Sequence, residues 1–531
     1  MTVPLPAATR EGRELARELG AKLGAAAVST APNDLWAASQ DAWPRLSLAR
    51  MAGQARWTPA LVAWPSDVGM VQAAVQFANE KKIPLVPIGG GGGGNGAALC
   101  ARGGIALDMK RFAAEPRVNA AARTVEAQAG LNLARLEDAL RARGMTLGGL
   151  PEGAAASTVG GFLATRGGGP SSSQLGKAED LLLALEAVDG TGALLRTHDG
   201  PSRGLDLAQL LLGSEGTLAV FTAARLRIAP FPRARVQLGL RCGSMAHGMR
   251  ALQAVLRAGL RPSVGRLFDP LSSRLAGAHV GDHALPAPLR ALLHSGQQEL
   301  LRAALRMPWV LNGLAEALGG GALLAFQFDG HGGRAFDEAA EEAGLARRIC
   351  VDAGAGEVLT GDAVTAVLEH RNGAMHPQLF AAGAFVEELD VAATWTRLPA
   401  VLGAIRRAVS TQALLLARIG CAYLEGASLE LTLVGPAGPL AQSARARPRA
   451  GHAPPELDEE LGQAELRSEQ CLANALSAAL DAGATISHSS GVGLARQLML
   501  PREHGEGMRQ LRALKRAFDP NGILNPGKLL L

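Results

Sequence analysis

The stretch KIPLVPIGGGGGGNGAAL, residues 82–99, constrains this chain more than any other. A short apolar run breaks into six consecutive glycines, Gly89 to Gly94, followed by Asn95 and Gly96. Glycine weakens helices and strands and loses the most backbone entropy on folding, so six together need a structural use. Backbone N–H groups freed of side chains can fold into a concave nest for an anion. Glycine also lets the main chain approach a phosphate closely and adopt positive φ. The competing reading is a flexible tract without a ligand. No GK[ST] follows, as a P-loop requires, and no helix with an acidic residue stands at the distance of the dinucleotide fingerprint.

The rest of the chain has the means to build a globular enzyme. Its 531 residues are 48% hydrophobic and 19% charged, enough core for about three domains of roughly 150 residues. Lys and Arg total 53 against 48 Asp and Glu, a net charge of +5. The two signs are interleaved, with no basic stripe bearing aromatics. That pattern speaks against nucleic acid and for small anionic substrates. Cys100, Cys242, Cys350, Cys421 and Cys471 fit no CxxC or zinc spacing and read as free thiols in a reducing compartment, with no metal. The N-terminal MTVPLPAATREGRELARELG has no apolar h-region. Runs such as LLLAL at 181–185 are far too short to span a bilayer. A cytoplasmic location is the expectation.

Along the chain, residues 10–23 read as an amphipathic helix. ALVAWP (60–65) reads as a buried strand, with Ser66 as N-cap of a helix carrying Val68, Val71, Val75 and Ala78 at helical spacing. IPLVPI (83–88) is the next strand and runs into the glycines. GIALDMKRF, TVEAQAG and LLLALEAVDGTG read as strands, and LNLARLEDALRAR as a helix. Helices and strands alternate from about 231 to 480. The Pro/Ala/Arg-rich stretch 436–460 reads as a mobile loop.

Two further glycine zones, PEGAAASTVGGFLATRGGG (151–169) and GSEGTLAVFTAARLRIAP (213–230), follow the first, and the chain runs on to FDPNGILNPGKL. In this order the four segments resemble those of the FAD-linked oxidases with a vanillyl-alcohol-oxidase-type (PCMH-type) flavin domain. The resemblance implies an α+β fold. A PCMH-type two-subdomain FAD-binding domain would occupy 57–232 and an α+β cap (substrate) domain 233–480. An N-terminal helical segment, 1–56, would precede them, and a C-terminal segment, 481–531, would return to the FAD domain. It implies FAD held noncovalently, because no histidine lies in or beside the first loop. The cofactor-binding residues it implies are, in the first segment, Pro87, Ile88, Gly89, Gly90, Gly91, Gly92, Gly93, Gly94, Asn95 and Gly96. In the second they are Pro151, Glu152, Gly153, Ser157, Thr158, Gly160, Gly161, Ala164, Thr165, Arg166 and Gly167. In the third they are Gly213, Ser214, Glu215, Gly216, Thr217, Leu218 and Ala219. The family's Thr or Ser after the third glycine is Gly92–Gly93 here, which removes a hydroxyl contact to phosphate, and Asn95 is the substitute to test.

Within the family the cap resembles the alkyldihydroxyacetonephosphate synthase branch, through PSVGRLFDP (262–270), LEHRNGAMHPQLFAAGAFVEELDVAATW (368–395), CAYLEGASLELTL (421–433) and GATISHSSGVG (483–493). The match implies Tyr423 and His488 as catalytic residues and Arg371 and Arg266 as clamps for an anionic group, for which a planar guanidinium fork is suited. Tyr423 is the single tyrosine of the chain, so its hydroxyl is kept where a plain ring would pack as well. The competing readings are a packing tyrosine, a satisfied turn histidine and surface ion pairs. Where the synthase branch carries three histidines, this chain has His488, Ser489 and Ser490. Serine neither holds charge near neutral pH nor serves as a comparable base. The branch that oxidises D-2-hydroxy acids has a histidine next to the glycine, where Ser490 stands. Three functions therefore stand side by side. One is ether-lipid formation through an adduct on flavin N5. The second is dehydrogenation or oxidation of a D-2-hydroxy acid or alcohol. The third is a non-catalytic flavin-binding paralogue. The substrate would be a small or lipid-like molecule with an anionic group, and peripheral membrane contact and a homodimer are left open.

Overall fold

The structure, a computed structural model, describes residues 5–51, 54–198, 204–275, 298–317, 321–359, 361–369, 376–438 and 455–531. It is an α+β chain whose described residues form three larger sheets and a two-stranded pairing of Met145–Thr146 with Ala229–Pro230.

The smallest of the three has the strand order Val28–Ser29, Leu61–Ala63, Ile105–Asp108, Leu85–Ile88. Its last two pairings are parallel. The helix Arg10–Leu23 forms over the expected residues, with Thr9 as its cap accepting the N–H of Gly12 at 3.0 Å. Its Leu19 and Leu23 join Val71, Val75 and Phe77 of the helix Val68–Lys81 in one apolar cluster over the sheet. Each such leucine taken out of water contributes about 1.5–3 kcal/mol. The cap of the second helix is Asp67 rather than Ser66: its carboxylate accepts the N–H of Met70 at 2.9 Å. The adjacent acid is the stronger acceptor, and Ser66 is left turned to the Met70 sulfur.

A five-stranded antiparallel sheet follows, in the order Arg117–Asn119, Thr124–Gln128, Ala219–Arg227, Leu182–Asp189, Leu194–Arg196. Three sequence expectations are shortened here. GIALDMKRF is a strand only over Ile105–Asp108, because Asp108 caps a 3-10 turn at Met109–Arg111. LLLALEAVDGTG begins with the end of a helical turn, Ala178–Leu181, before its strand. The second glycine zone is not all loop: Thr158 accepts the N–H of Gly161 and starts a short helix, Val159–Ala164.

The largest sheet has seven antiparallel strands. Their order is Ala355–Leu359, Ala234–Cys242, Ala322–Gly330, Val264–Phe268, Leu414–Ala422, Gly426–Pro436, Ala384–Thr394. The helices Met245–Arg257, Ala335–Asp352, Leu398–Val409 and Pro455–Asp481 cover one face of it through Leu252, Ala339, Ile405 and Leu472. Of the stretch read as a mobile loop, 439–454 lies outside the described residues. The rest is structured: Pro436 ends a strand, and a helix starts at Pro455.

The tail packs against the small sheet. Leu85 N–H donates to the Ile523 carbonyl at 2.8 Å, and Asn525 N–H to the Leu85 carbonyl at 2.8 Å. The Lys528 ammonium is fully buried and donates to the Leu99 carbonyl at 2.6 Å. The N-terminal segment is tied to the large sheet by Arg45, which donates to Glu387 Oε1 at 2.8 Å. No helix among the described residues is long and apolar enough to cross a membrane.

Candidate functional site

The three glycine zones and one edge of the large sheet enclose a cavity of about 570 Å³. The six glycines do different jobs. A Cβ on Gly90 would strike the Ala156 carbonyl, and one on Gly92 would stand 2.7 Å from the same oxygen. Those two let the first zone pack against the second. Gly91 has φ +70°, which L side chains rarely adopt. A Cβ on Gly93 or Gly94 would meet nothing within 4 Å, so these two present bare backbone to the cavity. Asn95 does not stand in for a phosphate-binding hydroxyl. Its side-chain amide donates to the Ser490 and Gly491 carbonyls at 2.7 and 3.2 Å, because the tail segment 490–495 seats on this loop.

Most of the residues expected at the cofactor line this cavity, from Pro87 to Asn95 and through Pro151, Glu152, Gly153, Ser157, Thr158, Gly160, Gly161, Ala164, Thr165, Gly167, Glu215, Gly216 and Ala219. Six do not. Arg166 turns away to donate to the Gln209 carbonyl at 3.2 Å, with Gly213 against its side chain. Gly96 packs on the Trp43 ring. Ser214, Thr217 and Leu218 are buried in the turn behind, where Thr217 Oγ1 donates to the Ser214 carbonyl at 2.7 Å. Glu215 lines the cavity as a brace: its carboxylate accepts the Gly493 N–H at 2.9 Å, and burial pushes it above its ordinary range.

The opposite wall belongs to the large sheet. Cross-strand register aligns Arg418 with Glu430, and Glu430 with Asp390, in one row, and all three border the cavity. Arg418 donates to Glu430 Oε2 at 2.6 Å and to Glu152 Oε1 at 2.8 Å. Arg266 reaches the same Glu152 oxygen at 2.5 Å. It is 1% exposed and also donates to the Leu368 carbonyl at 3.2 Å. Arg266 is therefore a strut holding Glu152 rather than an open clamp. Burial alone would raise the Glu152 carboxyl, but Arg418 and Arg266 outweigh it and hold the group below its ordinary value. Arg371 lies outside the described residues.

Asp390 organises the tail. It accepts the Ser490 hydroxyl, the Ser489 N–H at 2.7 Å, the His488 N–H at 3.2 Å and Arg496 at 2.5 Å. Arg496 outweighs the cost of burial and keeps Asp390 below its ordinary value. The two serines standing in the histidine cluster are thus anchored to one buried carboxylate.

Tyr423 and His488 are brought together just behind this wall. Their ring centroids are 5.6 Å apart at 44°. The His488 Nε2 is buried with no hydrogen-bond partner among the described residues, and the buried Tyr423 hydroxyl has the Cys421 thiol beside it. Burial first, then Cys421 and the carboxylates of Glu179 and Asp180, push the phenol upward. Burial first, then the Lys177 ammonium, lower His488 to about 4. Lys177 also donates to the His488 carbonyl at 3.2 Å. At neutral pH the pair is a protonated phenol beside a neutral imidazole, a hydrogen-bond donor beside an acceptor.

Sequence reasoning missed Arg418, Glu430, Asp390 and Arg496. The signal was present: LLLARIGCA and LELTLV each set one charge in an apolar strand, which is tolerable only with a partner.

A cavity walled by bare glycine backbone on one side and by catalytic-type side chains on the other defines a class, and family comparison agrees with it. A model described as FAD binding domain matches residues 59–198, and one described as FAD linked oxidases, C-terminal domain, matches residues 231–529. The second covers more than half of the chain, which belongs to the FAD-linked oxidase family and carries FAD as its cofactor. It is similar to the alkyldihydroxyacetonephosphate synthase of Dictyostelium discoideum, 31% identical over 43% of this chain and 38% of that protein. It is also similar to the D-2-hydroxyglutarate dehydrogenase of Xanthomonas citri pv. viticola, 34% identical over 34% of this chain and 40% of that protein. The matched stretches thus span about two fifths of these relatives' lengths. In solved structures, an alkyldihydroxyacetonephosphate synthase superposes with a TM-score of 0.70 at 20% identity, covering 99% of this chain and 87% of the other. A p-cresol methylhydroxylase superposes at 0.72 and 15%, covering 99% and 98%. Both likenesses establish the PCMH-type fold.

The cavity's residues fit FAD. Gly93 and Gly94 leave main chain open to it, and the first two glycine zones interlock around it.

Proposed function

We propose that this chain is a FAD-dependent oxidoreductase acting on a small molecule with an oxidisable hydroxyl, an alcohol or a D-2-hydroxy acid. The observation that carries this is the Tyr423–His488 pair, buried behind the cavity wall that their chain neighbours Cys421 and Ser489 border, with His488 Nε2 unpartnered among the described residues. The residues that would hold FAD, without a covalent bond, are the glycines of the first zone, Thr158 with Gly160 and Gly161, and the Gly216 turn. Bound there, FAD supplies a two-electron acceptor. His488, neutral through burial and Lys177, takes the substrate's hydroxyl proton. Tyr423 keeps its own proton and donates to a substrate oxygen. Positioned proton transfer of this kind contributes typically about 10²–10⁴-fold. Arg418 and Arg496 keep their charges matched to Glu152, Glu430 and Asp390, which favours a substrate with one small anionic group over a phosphate ester. Arg371 is the candidate for that group.

A second reading, ether-lipid formation of the alkyldihydroxyacetonephosphate synthase type, rests on the sequence match around Tyr423 and the tail, and on the relative of that name. It places the same two residues at the proton-transfer step and needs a cation for a phosphate. An anaerobic visible spectrum separates the readings. Bleaching of the bound flavin by one member of a panel of D-2-hydroxy acids and alcohols supports the first. A flavin that never bleaches, together with ether product from an acyl-ketone phosphate and a long-chain alcohol, overturns it in favour of the second. A flavin inert in both assays, and indifferent to Tyr423→Phe, makes the chain a non-catalytic paralogue.

A further inference from the structure

We propose that Asp41, from a segment that neither family match covers, is part of the cofactor site, and that FAD binding takes up a proton there. Asp41 lies in the link between the helices Pro32–Ala38 and Leu46–Met51. The next residue, Ala42, donates its N–H to the Gly91 carbonyl at 2.9 Å, so the link is hydrogen-bonded to the glycine run itself. Asp41 borders the same cavity as Gly89–Gly94, and a Cβ on Gly91 would stand 3.8 Å from its Cα. The residue is 8% exposed. One carboxyl oxygen accepts the Trp43 N–H at 2.9 Å and the Gly96 N–H also faces the group; Oδ2 is buried without a well-formed hydrogen bond among the described residues.

An unpartnered, buried carboxylate oxygen is costly, and the group avoids that cost by holding a proton. The charged and polar groups around it do not reverse this. The Trp43 and Gly96 N–H groups, Lys528 from the tail and Arg50 from the neighbouring helix each favour the charged form, yet burial dominates and raises Asp41 to about 7. Lys528 is shared: its ammonium donates to the Leu99 carbonyl and to Asn525 Oδ1, and it also faces Glu215 and Cys100.

A phosphate-bearing ligand in the glycine nest brings further negative charge beside this carboxyl. That favours the neutral form more strongly than in the free protein. Linkage fixes the sign. If bound Asp41 holds its proton to higher pH than free Asp41, binding takes up a proton between the two values, and affinity falls as pH rises through that window. The nest lacks the family's hydroxyl, and Asn95 is occupied elsewhere, so a neutral acid at this place keeps a compact site from repelling the dinucleotide.

The test is calorimetric titration of apo-protein with FAD from about pH 6 to about pH 9, in two buffers of different ionisation enthalpy. Wild type is expected to take up close to one proton above pH 7, with affinity falling by up to about tenfold per pH unit. Asp41→Asn is expected to bind FAD with no proton uptake and a flat profile. A wild-type protein that binds FAD with no uptake and no pH dependence overturns the proposal, and this needs no variant to fold. So does an Asp41→Asn protein that keeps the wild-type profile. Failure to bind FAD at any pH would overturn the cofactor assignment as well, and is distinguishable from both.

Discussion

On the glycine side of the cavity the chain offers main-chain atoms, held in place by close backbone contacts such as Gly90 against Ala156. On the sheet side it offers acidic and basic side chains held by one another, Arg418 between Glu430 and Glu152, and Arg496 on Asp390, with burial raising the Glu430 carboxyl. The first kind of wall has no room for added atoms at Gly90 and Gly92, open space at Gly93 and Gly94, and no charge on its glycines. The second tolerates changes of shape poorly for another reason: each charge is buried and stays ionised only while its partner remains. Cofactor binding and substrate chemistry therefore rest on different physics in one cavity, and substitutions should separate them.

The largest effect is expected from Gly93→Val with Gly94→Val. Both side chains enter open space in the free protein, so the fold should persist by circular dichroism while FAD binding weakens by about 4 kcal/mol, roughly 1,000-fold. Retained stoichiometric flavin would break the assignment of that wall. Gly90→Ala is a poorer test, because it also unseats the second zone from the first. Next comes Glu152→Gln, which leaves Arg266 and Arg418 facing each other without the shared acid. We expect a loss of about 3 kcal/mol in denaturant unfolding, with a wild-type midpoint counting against the bridge. Tyr423→Phe should lower kcat by about 100-fold with FAD affinity unchanged; equal activity would leave the tyrosine a packing residue.

The smallest effect concerns His488. Its folded value, about 4, lies below its ordinary one, so the unfolded chain binds more protons in between. The contribution of this residue to stability is therefore fully present above about pH 6.5 and is lost as pH falls toward 4. His488→Gln should make apo-protein melting less acid-sensitive by about 1–2 kcal/mol over that window; an unchanged acid profile would show the ring to be hydrated rather than buried.

What could be read in the sequence follows the same division. The glycine wall was legible, because only glycine permits the Gly91 dihedral and the Gly90 contact, and those requirements are local. So were the first helices, through their spacing. The charged wall was not. Arg418 and Glu430 are 12 residues apart, but Arg418 and Glu152 are 266 apart and Asp390 and Arg496 are 106 apart, pairs that exist only once the sheet has formed. Arg166 misled for the opposite reason: it sits inside a segment that resembles the cofactor loop, yet its φ of 51° turns the side chain outward. Asp41 carried no pattern at all.

The tail contacts have a consequence for the order of events in synthesis. Lys528 and Asn525 close the small sheet and the third glycine turn from more than 400 residues downstream of Leu85 and Leu99. A nascent chain can assemble its strands early, but the nest remains unlatched until residues 525–528 emerge. Cofactor loading then waits on these contacts, and a chain lacking Asn525 and Lys528 would hold the strands and glycines of the site without their latch.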